Sequence, residues 1–245
     1  MASLILQHAR GILGSRDNHL GLVVASLLCL VVSAFTVFPF SIVYQALQIV
    51  SMGESQHETA VIVLGVVFLL FSFWLAGPLY LGALRIAANA SAGRDFSLSQ
   101  MFVFYSSLSL FARAWRILSG AFFRLIIVGA SICAVVAAFT EPWAGAEPWI
   151  LVGGGVCLLP LWVLATAVSY PVSALAVSDL SLPIRVARHR GRAMTRKHRR
   201  ALAMLHIELL LFFAVSLLSV GVVTLFYVIP LMFAARISAL SLLAE

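Results

Sequence analysis

Long apolar runs separated by short polar segments are the feature that most limits what this chain can fold into. A helix needs roughly 20 apolar residues to cross a bilayer, and several runs here exceed that length. With 62% apolar and 10% charged residues, a chain of 245 residues could not hide its apolar surface in a soluble domain. We therefore predict an all-α, polytopic membrane helix bundle in which residues 1–245 form a single integral membrane domain.

Charged residues are unevenly distributed between the predicted loops. Residues 51–58 and 141–149 contain glutamate but neither lysine nor arginine, whereas residues 185–200 hold eight of the 16 basic residues. Membrane proteins keep loops rich in lysine and arginine on the cytoplasmic side. This pattern predicts a multi-pass protein of the bacterial cytoplasmic membrane with a cytoplasmic N-terminus.

Six spans in three hairpins account for the apolar runs. We place them at approximately 20–50, 59–88, 117–140, 149–177, 201–219 and 222–243. The end of the chain is ambiguous, because residues 201–244 could form one overlong helix or two that break near Ser219 and Gly221. Two helices would return Arg236 to the basic side of the membrane, which favours six spans over five.

Two amphipathic segments, at approximately 97–116 and 182–200, predict interfacial helices on the cytoplasmic side. Ser97 and Gln100 have the spacing of a capping box, which predicts a helix start. Pro183 fits the first turn of the second helix, where its missing N–H costs nothing. Helices packed against the bundle would show the same pattern, so both interpretations stay open for the first segment.

Charged residues within apolar spans form the first candidate site. Such residues are costly to insert and often mark a function. If the topology is right, they lie at similar depth under the inner leaflet, where they could form a pocket for an anionic headgroup or solute. Arginines that reach the interface, with the glutamate as a tie between helices, are the interpretation that we favour. The residues of this predicted charge cluster are Arg85, Arg124, Glu208 and Arg236.

Arginines at helical spacing form the second candidate site. They recur at intervals of three or four and therefore share one helix face, which could contact anionic lipid. A solvated face that only sets topology would need no further role. Nucleic acid is not expected as a partner, since no aromatic residue interrupts the run to stack on bases. The residues of this arginine row are Arg185, Arg188, Arg192, Arg196 and Arg199.

Enzyme motifs are missing from the sequence. H-E-x-x-H, G-x-S-x-G and the P-loop pattern do not occur, so we expect no enzymatic activity. His206 and Glu208 do not have a zinc-ligand spacing on one helical face. The three cysteines are odd in number and lie in apolar runs, so they predict no disulfide framework. We predict neither a cofactor nor a metal.

Several short segments carry a resemblance to a known family. Gly77-Pro78-Leu79-Tyr80-Leu81-Gly82 precedes Arg85 and Phe96, and Leu218-Ser219-Val220-Gly221 precedes Tyr227-Val228-Ile229-Pro230. In order and spacing, these segments resemble the bacterial integral membrane proteins of domain-of-unknown-function family 975. They more distantly resemble the membrane domain of some glycerophosphodiester phosphodiesterases. The resemblance implies a six-helix cytoplasmic-membrane protein and no established activity.

Two classes of function agree with these observations. The first is a non-enzymatic accessory, scaffold or regulatory membrane protein, which would act with a membrane protein partner. The second is a small transporter or lipid-handling protein with an anion or headgroup site at the inner leaflet. Membrane lipids, anionic ones above all, are the partners expected in both.

Overall fold

The computed structural model describes residues 1–32, 56–119, 170–217 and 221–244, and every regular element in these ranges is a helix. The prediction of an all-α fold is confirmed for them. The elements are α1 (Ala2–Leu13), α2 (Arg16–Val32), α3 (Gln56–Ser91), a 3₁₀ helix (Leu98–Tyr105), α4 (108–119), α5 (170–178), α6 (Ile184–Leu217), a π-helical turn (Thr224–Val228) and α7 (Ile229–Ala244).

One helix in these ranges is long and apolar enough to cross a membrane. It covers Thr224–Leu243, and 50% of it is buried inside the protein. α1 and α2 pass the same test together, as one broken span that bends by 98°. Both observations favour membrane association. Most of the predicted spans 20–50, 117–140 and 149–177 lies outside the described residues.

The N-terminal and C-terminal helices pack against each other. α1 buries Ile5, Ala9 and Ile12 at helical spacing, and this apolar face contacts α7. On the same contact, His8 Nδ1 lies 3.0 Å from the hydroxyl of the buried Ser238. α7 also packs against α3 and α6, so it is the helix around which the described core is built.

The 3₁₀ helix lies directly on the backbone of α3. A Cβ atom on Gly82 would meet the carbonyl oxygen of Met101 at 2.1 Å, so only glycine permits this approach. Two polar contacts join the same elements: Asn89 Nδ2 donates to Gln100 Oε1 at 2.6 Å, and the hydroxyl of Tyr105 donates to the carbonyl of Leu75. The chain therefore folds back on α3 as soon as that helix ends.

A π-helical turn leads into α7, and Pro230 explains its position. Proline has no N–H, so the carbonyl of Phe226, four residues earlier, loses its usual helical donor. His19 of α2 supplies a replacement, since its Nε2 lies 2.7 Å from that carbonyl oxygen. The bond ties α2 to the start of the candidate span Thr224–Leu243 and satisfies a backbone carbonyl that proline leaves without its helical donor.

α6 and the C-terminal helical segment are separate helices. α6 ends at Leu217, and the chain resumes as a turn at Gly221, whose φ of 79° lies in the left-handed region that glycine adopts readily. Across the break, the hydroxyls of Ser216 and Thr224 lie 2.7 Å apart. The break that the sequence predicts near Gly221 is thus present.

The first predicted interfacial helix, at 97–116, is wrong as a single helix that starts with a capping box. It consists of the 3₁₀ helix and α4, which are separated at residues 106–107. Ser97 forms no side-chain cap, because its hydroxyl contacts Ser99 instead. Gln100 cannot reach back to the helix start, because its side chain accepts the hydrogen bond from Asn89.

The second predicted interfacial helix, at 182–200, and the segment predicted as span 201–219 meet at a kink close to their predicted boundary. Both lie in α6, which has one non-helical residue, His198 (φ −125°, ψ 26°). Pro183 immediately precedes α6, and its carbonyl accepts hydrogen bonds from the amides of Val186 and Ala187. Pro183 is therefore the residue just before the first turn, whereas the sequence places it within that turn.

Candidate functional site

The N-terminal half of α6 carries the arginine row on its outer surface. Arg185, Arg192, Arg196 and Arg199 are exposed and Arg188 is half-buried. The buried stripe of α6 lies beside this row and consists of small residues, Ala187, Gly191 and Thr195. α6 therefore has the amphipathic form that the sequence predicts, whereas a role for these arginines in lipid binding stays a prediction.

Beyond Arg200, the exposed surface of α6 becomes apolar. Leu211 is 61% exposed and Val215 is 65% exposed. Large apolar side chains exposed to this degree would be unfavourable in water, but they suit the acyl chains of a bilayer. The exposed surface of α6 thus changes from basic to apolar between Arg200 and Met204, shortly after the kink at His198.

Arg113 of α4 holds the segment between α5 and α6 in place. Its Nη2 donates to the carbonyl oxygens of Ala176 at 3.1 Å, Asp179 at 3.1 Å and Leu182 at 2.7 Å. The last carbonyls of a helix lack intrahelical donors, so a guanidinium at this place caps the end of α5. The Nη2 group of Arg113 is therefore already used in hydrogen bonds that hold the fold together.

A second arginine joins α6 to α4 in the opposite direction. Arg188 Nη2 donates to the carbonyl of Arg116, and it lies 3.3 Å from the hydroxyl of Ser119. Both bonds reach the C-terminal half of α4. Together, Arg113 and Arg188 fix α4 against the start of α6.

The space between these elements is a cleft of about 720 Å³, which we call the arginine cleft. Arg113 and Arg116 of α4 line one side, and Arg185 and Arg188 of α6 line the other. No aspartate or glutamate is among the lining residues. The structure thus brings two members of the arginine row, Arg185 and Arg188, together with two arginines from a distant part of the sequence.

Two groups beside the arginine cleft have shifted pKa values. Hydrogen bonds from the hydroxyl and the amide of Ser181 hold the pKa of Asp179 below its usual range. Partial burial lowers the pKa of Arg113, and the negative charge of Asp179 opposes that shift. Arginine nevertheless keeps its charge at physiological pH. The cleft is therefore positively charged under cellular conditions.

The structure describes three of the four residues of the predicted charge cluster. Arg124 lies outside the described residues, and the described part of the chain contains no ion pair between Glu208 and either Arg85 or Arg236. Glu208 is half-buried on α6. Buried Nε and Nη1 atoms of Arg85 have no hydrogen-bond partner within the described ranges. A pairing of these charges stays a prediction.

Arg236 instead lies between aromatic rings. Its Cζ atom is 4.5 Å from the ring centroid of Tyr170 and 5.2 Å from that of Tyr80. Cation–π contacts of this kind compensate a guanidinium for lost water. The hydroxyl of Tyr170 is in turn hydrogen-bonded to Nδ1 of the buried His206. The tyrosines were not predicted as site residues, since nothing in their sequence spacing links them to Arg236.

Metal ligation has no support in the described ranges: no group of three or more His, Cys, Asp or Glu side chains there could hold an ion.

Comparisons with protein-family models, with characterised proteins and with solved structures find no match to this chain. The family resemblance therefore stays a prediction, and the arrangement of the residues is the basis for a proposed function.

Proposed function

We propose that this chain is a non-enzymatic, multi-pass protein of the bacterial cytoplasmic membrane that binds anionic phospholipid at the inner leaflet. Six spans with a cytoplasmic N-terminus are part of the proposal. Binding of this kind suits a scaffold or regulatory protein that organises lipid around a partner, which is the first of the two classes of function that the sequence predicts.

The change of surface along α6 is the observation that carries the proposal. Exposed arginines occupy the helix up to Arg200, and exposed apolar side chains follow from Met204 onward. A helix that passes from headgroups into acyl chains needs this order of residues. The asymmetry of loop charge puts the basic half on the cytoplasmic side, where anionic lipids give the surface a negative potential.

Electrostatics explains why the arginine row would select lipids. A basic residue close to an anionic membrane surface contributes on the order of 1 kcal/mol, and the attraction decays within a Debye length. Several exposed arginines on one face would therefore concentrate anionic lipid. Raised ionic strength would weaken the enrichment, because salt screens exposed charges.

Lipid retention tests the proposal. The full chain is extracted in native membrane discs, and the ratio of phosphatidylglycerol to neutral phospholipid around it is measured by mass spectrometry at low and high salt. We expect enrichment of the anionic lipid that decreases in the variant R192A/R196A/R199A. The matched control R10A/R16A/R94A removes the same number of exposed charges from other helices and loops.

Two results would contradict the proposal. One is the bulk lipid ratio around the unaltered protein at every salt concentration. The other is an equal loss of enrichment in the two triple variants, because net charge alone would then be responsible.

A further inference from the structure

We infer that the arginine cleft is a binding site for a phosphate monoester dianion, carried by a lipid headgroup or by a small soluble phosphate. The inference rests on the proposed function and deepens it, because it names the chemical group that a defined site at the inner leaflet would select. A general attraction to anionic lipid requires only exposed charge, whereas selection of a monoester requires a built cavity.

Charge balance favours a doubly charged ligand. Arg113, Arg116, Arg185 and Arg188 line the cleft, and no carboxylate lines it. Asp179 is the acidic residue that faces Arg113, but its Oδ1 already accepts from the amide and the hydroxyl of Ser181, at 2.9 and 2.6 Å. A phosphate monoester carries close to two negative charges at pH 7, and a diester carries one. The monoester neutralises more of this cleft.

The four arginines divide into a fixed pair and an available pair. Arg113 and Arg188 are held by backbone carbonyls, so their guanidinium groups are already ordered before a ligand arrives. Arg116 and Arg185 have exposed side chains, with no hydrogen bond or ion pair to any residue that the structure describes. Each side of the cleft thus offers one ordered and one unengaged guanidinium, which suits an anion with several oxygen atoms, since arginine binds phosphate through paired N–H donors.

Helix starts add further donors on both sides of the cleft. Ser109 belongs to the first turn of α4, and Ile184 and Arg185 belong to the first turn of α6. The amide of Leu110 already donates to the hydroxyl of Ser107 at 3.3 Å, so it is not counted among these donors. The amides of a first helical turn lack intrahelical acceptors and carry partial positive charge, which favours anions. This feature reinforces the arginines and would not define a site without them.

The surroundings of the cleft suit a ligand attached to a membrane. Leu110, Leu180 and Ile184 give it an apolar wall. Leu108, next to the lining residue Ser109 at the start of α4, is 85% exposed. These side chains would contact the headgroup and acyl boundary if this surface lay on the inner leaflet. A lipid phosphate would then enter the cleft from the membrane side.

The test compares phosphatidic acid, a monoester, with phosphatidylglycerol, a diester. The full chain is placed in discs of phosphatidylcholine that contain equal small fractions of both lipids, and the retained lipids are counted by native mass spectrometry. The test variant is R116A/R185A, which changes two exposed side chains outside the structural hydrogen bonds. The control R192A/R196A removes two exposed arginines from α6 outside the cleft.

We expect the unaltered protein to retain phosphatidic acid over phosphatidylglycerol by at least about tenfold, since two charge-assisted contacts readily supply that factor. R116A/R185A should bring this ratio close to one, and R192A/R196A should leave it unchanged. Equal retention of the two lipids by the unaltered protein overturns the inference. So does a ratio that responds equally to both double variants.

Two further arms separate the ligand sources and the two proposals. Glycerol 3-phosphate that displaces phosphatidic acid at similar concentration would assign the site to soluble phosphates, and failure to displace it would assign the site to lipid. Enrichment of both anionic lipids over phosphatidylcholine without a monoester preference would overturn this inference alone. Loss of all anionic preference would overturn the proposed function as well.

Discussion

At the scale of single residues, several polar side chains of this protein satisfy the backbone of a distant helix. Arg113 caps α5, and His19 replaces the donor that Pro230 lacks. Such bonds matter more in a membrane than in water, because lipid offers no alternative partner to an open carbonyl. The same logic explains Arg236, whose charge is compensated by aromatic rings and not by a carboxylate of the described part.

Tyr170 should contribute two separable interactions. Tyr170→Phe keeps the ring beside Arg236 but removes the hydrogen bond to His206, so we expect a loss of about 1 kcal/mol in the free energy of unfolding. Tyr170→Leu also removes the cation–π contact and should cost about 1 to 2 kcal/mol more. Thermal or denaturant unfolding in detergent measures both. Equal stabilities of the two variants would show that the ring contact contributes nothing.

Asp179 should make stability depend on pH in one direction. Its pKa in the folded protein lies below the usual value because Ser181 donates to the charged form. The stabilisation is therefore complete above the usual aspartate pKa, about 3.9, and disappears as the pH falls through the lowered folded pKa. The difference in melting temperature between the unaltered protein and Asp179→Ala should be largest near neutral pH and shrink in acid. A difference independent of pH would contradict this assignment.

At the scale of elements, close backbone contact fixes how the helices are arranged. Gly82 lets the 3₁₀ helix lie on α3, and this contact sets where the chain turns towards α4 and the arginine cleft. Periodicity in the sequence predicts helices and their faces. It does not predict which glycine meets which backbone, because that depends on residues brought together only by folding.

Substitution of Gly82 tests this contact. Gly82→Ala places a methyl group against the backbone of Met101, which cannot retreat as a flexible side chain would, so we expect a loss of about 1 to 3 kcal/mol in stability. Gly11→Ala is the control, because a Cβ atom there meets nothing within 4 Å and alanine favours helix. Gly11→Ala should leave stability unchanged or raise it. Similar effects of the two substitutions would mean that the contact is not tight.

The sequence predicts the amphipathic form of α6 but does not predict the arginine cleft. Helical spacing was enough to place the arginine row on one face. The cleft needs Arg113 beside Leu182, 69 residues away, and no local pattern carries that contact. The capping box failed for a related reason, since Gln100 is engaged by Asn89 of α3 and is not available to the chain beside it. At both places, a hydrogen bond to a residue distant in sequence decided the structure, and the local sequence pattern did not.

At the scale of the whole molecule, charge and apolar surface divide the protein into two zones. The arginine cleft and the basic half of α6 form one zone, and the exposed apolar side chains of α6 from Met204 onward, with Val222, Val223 and Phe226, form the other. The two zones meet on α6 between Arg200 and Met204, just after the kink at His198. We propose that this stretch marks the cytoplasmic boundary of the membrane.

The most direct test is the accessibility of single cysteines in intact cells. In a background with Cys29, Cys133 and Cys157 replaced by alanine, Arg192→Cys and Glu54→Cys are each treated with a membrane-impermeant maleimide before and after permeabilisation. We predict that Glu54→Cys is labelled in intact cells and that Arg192→Cys is labelled only after permeabilisation. Labelling of Arg192→Cys in intact cells would put the basic half of α6 outside the cell and contradict the account.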